Sequence, residues 1–154
     1  DTTGERNSPF QEARFQWRLR RLDEAGVHVP RCYGFWHAEN TNERHGIVME
    51  QLDAVDLQKI FNGEEEAPEN FDLEDFIGDL QDFLQEMHDM GIVHNDMWPR
   101  NVMVDRATGK PRPIDFGNAR DISKLTKEDA ERMANKELDN VEERFVWPGK
   151  ALTK

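Results

Sequence analysis

Cysteine is almost absent from this chain of 154 residues, and the single Cys32 excludes an intrachain disulfide framework and suits a reducing compartment. No apolar run approaches the length needed to cross a bilayer, and the opening DTTGERNS lacks the hydrophobic core of a secretory leader. A soluble, cytoplasmic protein with no membrane partner is therefore expected. Positive charge is also scarce: Lys+Arg 20 against Asp+Glu 32 gives a formal net charge of −12, which argues against nucleic acid or an anionic membrane as partner. No lysine occurs before Lys59, and the chain opens without an initiator methionine, which reads as a trimmed or processed piece of a longer protein. The length suits one domain with a modest core.

Residues 91–120, GIVHNDMWPRNVMVDRATGKPRPIDFGNAR, carry the chemistry. They read as a short strand, a polar loop, a β-hairpin and a second acidic loop. The hairpin pairs Val102–Val104 with Pro113–Ile114 around a turn at Ala107-Thr108-Gly109. Pairing brings its ends together, so Asn101 and Asp115 become neighbours: an amide oxygen beside a carboxylate, the hard ligands that Mg²⁺ takes when it is also held by phosphates. Asp96 lies just before the hairpin, placed to orient or deprotonate an attacking hydroxyl. Gly117 is expected to let the backbone bend sharply after Phe116.

Elsewhere, Ser8-Pro9-Phe10-Gln11 forms a capping box with proline at the first helical position, opening a helix to about Ala25, before Gly26. Phe15, Leu19 and Leu22 are its expected buried stripe. Glu12 sits one turn before Phe15 and so points toward the body of the protein, although a first-turn glutamate also suits the helix dipole. Arg14, Arg18 and Arg21 share the opposite, solvated face. Arg31–His37 and Gly46–Leu52 read as an antiparallel hairpin around the polar loop Ala38–His45. Residues 63–70, GEEEAPEN, form a solvated connector. Between Phe71 and Met90, apolar residues from Leu73 to Met87 recur at helical spacing, with Asp72 near the start and Gly91 closing the end. Thr126 and Asp129 open a last helix with Ala130, Met133, Ala134, Leu138, Val141 and Phe145 on one face. His28, His37, His45 and His88 have no metal-ligand spacing, and the four Trp and six Met read as packing.

His94-Asn95-Asp96 with Asn101, followed by Asp115-Phe116-Gly117, resembles the catalytic and metal-binding loops of protein-kinase-like phosphotransferases. The resemblance implies a kinase-like α+β domain spanning 1–154: a truncated small lobe of helix plus β-hairpin (1–52) on a compact, mainly helical large lobe (53–154). It implies ATP and Mg²⁺ as cofactors, with Asp96 as base, Asn101 and Asp115 on the metal, and His94 bracing the loop. In it, Met49 lines the back of the adenine pocket, backbone groups of Glu50 and Leu52 meet the adenine edge, Asp56 bonds the ribose, and Met103 joins them at the nucleotide. Glu12 takes the position that pairs with a phosphate-holding lysine. The expected partners are a nucleotide and a protein or small-molecule hydroxyl.

Several features depart from the family. There is no Gly-rich phosphate loop, no lysine local to Glu12 and no Ala-Pro-Glu. Asn95 replaces the arginine that reads a phosphorylated activation loop, Trp98 stands where Ser/Thr kinases carry lysine, and Arg100 matches an arginine of tyrosine kinases. His-Asn-Asp also resembles small-molecule kinases of the choline and aminoglycoside type. The missing strands and lysine are expected upstream of residue 1, leaving a marginal two-stranded hairpin whose open edge, near Phe35 or Val48, invites self-association. The rival reading is a pseudokinase or interaction module that keeps the fold.

Overall fold

The computed structural model describes residues 6–23, 28–37 and 45–149, apart from the side chains of Leu22, Phe35, His37 and His45. The loop at 38–44 and the helix end expected at Ala25 and Gly26 lie outside the described residues.

Helix α1, Pro9–Leu22, starts as its capping box dictates. Ser8 Oγ accepts from the Gln11 N–H at 3.3 Å, and Gln11 Oε1 accepts from the Ser8 N–H at 3.0 Å, so two N–H groups at the helix start are satisfied reciprocally. Its buried face differs in part from the expected stripe: Ala13, Gln16 and Leu19 are buried, while Phe15 is half-buried. Gln16 is tolerated there because its amide donates to the Pro30 carbonyl at 2.9 Å. The arginine face is less idle than solvation requires. Arg14 and Arg21 lie over the rings of Phe10 and Trp17, and Arg18 pairs with Asp121 at 3.5 Å.

Strands β1, Cys32–His37, and β2, His45–Met49, form an antiparallel pair with an irregularity between Cys32 and Gly34. The second strand ends three residues short of Leu52, although the Glu50 N–H still donates to the Arg31 carbonyl at 2.7 Å. Beyond it, β3, Ala54–Asp56, leads into α2, Leu57–Phe61, which Asp56 caps by accepting from the Gln58 N–H at 2.8 Å.

Helix α3, Leu73–Asp89, is capped by Asp72 and buries Phe76, Leu80, Phe83, Leu84 and Met87, each at most 2% exposed. Gly91 follows at φ +81°, the left-handed turn that ends the helix. Around α3 gathers one apolar cluster fed by α1, α2, the strands and the last helix, so truncating a central member such as Leu84 to alanine would cost about 2–5 kcal/mol.

Residues 92–113 run through β4, Ile92–Val93, a 3-10 turn at Pro99–Asn101, β5, Val102–Asp105, and β6, Pro111–Pro113. The hairpin is as expected on its first strand, but the second is centred on Arg112, with Val102 opposite Pro113 and Val104 opposite Pro111. Ile114 falls just outside, its N–H held by the Asn101 carbonyl at 2.9 Å. β3 joins this hairpin to give the order β3-β5-β6, and β7, Arg120–Asp121, pairs antiparallel with β4. Neither β3 nor β7 was expected from sequence. Helix α4, Lys127–Arg144, capped by Thr126, packs against α3 and β4. Among the described residues no helix is long and apolar enough to cross a membrane.

Candidate functional site

Two antiparallel contacts set the frame: β4 against β7 fixes the entry to the loop at 94–98, and β5 against β6 brings Asn101 and Ile114 together. Within that frame His94 is fully buried. Its Nδ1 accepts from the Asp96 N–H at 3.3 Å, so Nε2, 2.8 Å from the Ile114 carbonyl, carries the proton and donates. Its ring also meets that of Phe116 edge-on, with centroids 5.1 Å apart. The imidazole thus ties both functional loops together.

Asn95 follows at φ +67°, a conformation asparagine tolerates better than most side chains. Glu137 of α4 holds it there. One carboxylate oxygen accepts from the His94 N–H at 3.1 Å and lies 2.9 Å from His88 Nε2, while the other accepts from the Asn95 N–H at 2.6 Å. Burial pushes the Glu137 carboxyl up, but the hydrogen bonds from His88 and the Asn95 amide outweigh it and leave it below the usual carboxylate range. A second clamp comes from Arg144. Its guanidinium lies 3.6 Å from the Trp98 ring centre and donates to the Met97 carbonyl at 3.2 Å.

Asp96 receives Arg100 Nη2 on one oxygen at 3.0 Å and Asn101 Nδ2 on the other at 2.9 Å. The same Asn101 nitrogen lies 2.7 Å from the Asp96 main-chain oxygen, so the amide is locked with its nitrogen toward Asp96. Asn101 Oδ1 is thereby the atom left for a ligand.

Asp115 sits at φ +59°, so the left-handed bend before Phe116 is taken by this aspartate. Gly117, expected to supply the bend, is not left-handed. It supplies space, because a Cβ there would collide with the Arg6 guanidinium and crowd Asp115. Asp115 Oδ1 accepts from the Gly117 N–H at 3.1 Å and from Arg6 Nη2 at 2.7 Å. Glu12 lies beside them. Burial and the Asp115 charge raise its carboxyl above the ordinary value, against the opposing pull of Arg6 and the Phe116 amide. Arg6, bound to Asp115, supplies the neighbouring positive charge.

The residues expected at the nucleotide fall in two groups. Met49, Glu50 and Leu52 follow one another at the end of β2, and Asp56 lies directly opposite Met103 across β3 and β5. Two of these residues have structural duties. Glu50 accepts from the Arg31 N–H at 3.2 Å and meets Arg112 at 3.5 Å, and one Asp56 oxygen caps α2. The Glu50 N–H is committed to the Arg31 carbonyl at 2.7 Å.

Sequence reading missed Arg6, Asn7, Glu137 and Arg144, and His88 with them. Glu137 had a visible signal, since it interrupts the apolar face of α4 between Ala134, Leu138 and Val141. Tryptophan was misjudged as well: Trp17, Trp36 and Trp98 are exposed, and of the four only Trp147 packs against the core.

The chain matches the protein kinase domain model over residues 12–138. It is 28% identical over 108 residues to a probable serine/threonine-protein kinase, fnkB, of Dictyostelium discoideum, covering 70% of this chain and 19% of that protein. It is 28% identical over 121 residues to a probable serine/threonine-protein kinase, PknB, of Lactococcus lactis, covering 78% of this chain and 18% of that protein. The chain thus spans under a fifth of these relatives. The PK-1 kinase of the Cydia pomonella granulovirus shares the fold, with TM-score 0.55 at 20% identity over 77% of this chain and 42% of its own. With the paired functional loops in place and a family match across most of its length, this chain belongs to the protein kinase domain family.

Proposed function

We propose that this chain is the part of a phosphotransferase that holds Mg²⁺-ATP and activates a hydroxyl on a protein or a small molecule. The observation that carries this reading is the double hold of Asn101 on Asp96, which orients a carboxylate and at once frees the amide oxygen toward a cation. Asp115 Oδ2 is the second such oxygen. The remaining ligands of such an ion would come from phosphates and water. When bound, Mg²⁺ neutralises charge on the phosphate oxygens as transfer proceeds. Asp96 accepts the proton of the acceptor hydroxyl as that oxygen bonds to the γ-phosphorus and the bond to the departing ADP oxygen breaks. Adenine would meet the Glu50 carbonyl and Leu52 amide, with Met49 at the back of its pocket, Met103 beside the nucleotide and the uncommitted Asp56 oxygen toward the ribose.

Residues 1–52 and 53–154 are taken as the small-lobe and large-lobe parts of this site. A second reading is a binding module that has kept the fold without turnover. Turnover separates the two, and titration calorimetry tests the metal site itself. Mg²⁺-ATP should bind, and Asp115→Ala should abolish the metal-dependent part of the affinity; equal binding by both proteins would reject the phosphotransferase reading. In the longest form of the protein that turns over, Asp96→Asn should lower kcat by about 10²-fold or more.

A further inference from the structure

We propose that Arg6 is a cation that receives the nucleotide's phosphate oxygens. This rests on the phosphotransferase reading. Asp115 binds the guanidinium directly at 2.7 Å, and the negative charges of Glu12 and Asp96 also act on it. A polyphosphate approaching these carboxylates is repelled unless a cation faces it.

The placement of Arg6 is built into the fold. Asn7, the next residue, is riveted to the loop that follows Asp115: its N–H donates to the Gly117 carbonyl at 2.6 Å, and its amide nitrogen to the Phe116 and Ala119 carbonyls at 3.0 and 2.9 Å. Arg120 completes the hold by donating to Asn7 Oδ1 at 3.4 Å. Ser8, one residue further on, is the cap of α1. The absent side chain at Gly117 leaves the room that the guanidinium occupies.

Arg6 is also presented as an anion donor should be. Its side chain is 56% exposed, and of five N–H donors the hydrogen bonding among the described residues commits one, to Asp115 Oδ1. The planar fork matches two phosphate oxygens at once. Since Asp115 Oδ2 is left over, the contact does not close the carboxylate to a metal ion.

The test compares ATP and adenosine binding, each with and without Mg²⁺, to the full chain and to Arg6→Ala and Arg6→Lys, with thermal melts confirming that the variants fold. Arg6→Ala should weaken ATP about 10- to 100-fold, the scale of a lost hydrogen bond to a charged group, while adenosine is unchanged. Arg6→Lys should recover part of the loss. If Arg6→Ala binds ATP as tightly as wild type, or more tightly because Arg6 merely plugs Asp115, the proposal fails alone, provided that Asp115→Ala still abolishes Mg²⁺-dependent binding. If wild type binds neither adenosine nor Mg²⁺-ATP, the phosphotransferase reading fails and takes this inference with it.

Discussion

Glu12 is a residue whose surroundings work against it. Its carboxyl is raised by burial and by the Asp115 charge, so the folded protein holds the proton more tightly than the unfolded chain does. Stability should therefore fall as pH rises from the ordinary carboxylate value, 4.5, through the raised folded value, and the penalty is fully present at neutral pH. Glu12→Gln is expected to melt at a slightly higher temperature than wild type at pH 7 and to lose that lead in acid. A lower melting temperature at pH 7 would count against it. The fold thus keeps a destabilising charge beside Asp115. Asp115 shows the same bargain in its backbone, being one of two left-handed non-glycine residues among those described, both in the functional loops.

At the scale of elements, α4 acts as the brace of the catalytic loop, with Glu137 under His94 and Asn95 and Arg144 against Met97 and Trp98. Because the Glu137 carboxyl is held below 4.5, its contribution is complete above that value and is lost as pH falls through the folded one. Glu137→Gln should cost about 2–4 kcal/mol in urea unfolding at pH 7, the scale of a buried charged acceptor removed from its donors. The gap from wild type should narrow in acid; a constant gap would show that the charge is immaterial. What was legible in sequence follows from what is local. The capping boxes and apolar periods announced α1, α3 and α4, and the turn residues announced the hairpin of β5 and β6, because those signals act within a few residues. Strands β3 and β7 are three and two residues long and exist only because β5 and β4 stand beside them. Glu137 could be seen as an odd residue on an apolar face, yet its partners at His88, His94 and Asn95 are 42 to 49 positions away. Arg6 gave no local signal at all, since its partner is 109 residues distant.

For the whole molecule, the sheet of β1 and β2 has two strands among the described residues and carries Tyr33, Trp36 and Val48 in the open, with Trp36 lying over Gly46. Phe35, also expected at this edge, has its side chain outside the described residues. Such an edge invites a further strand. Light scattering should find mass rising with concentration, and Val48→Lys should hold the chain monomeric; a monomer at every concentration, with slow amide exchange across both strands, would rule this out. The brace provided by α4 also imposes an order in time. Glu137 is made 43 residues after His94, so at a synthesis rate of about 5–20 residues per second the catalytic loop waits roughly 2–9 s for the carboxylate that shapes it. A nascent chain that has already produced Asp96, Asn101 and Asp115 holds the reagents but lacks their arrangement.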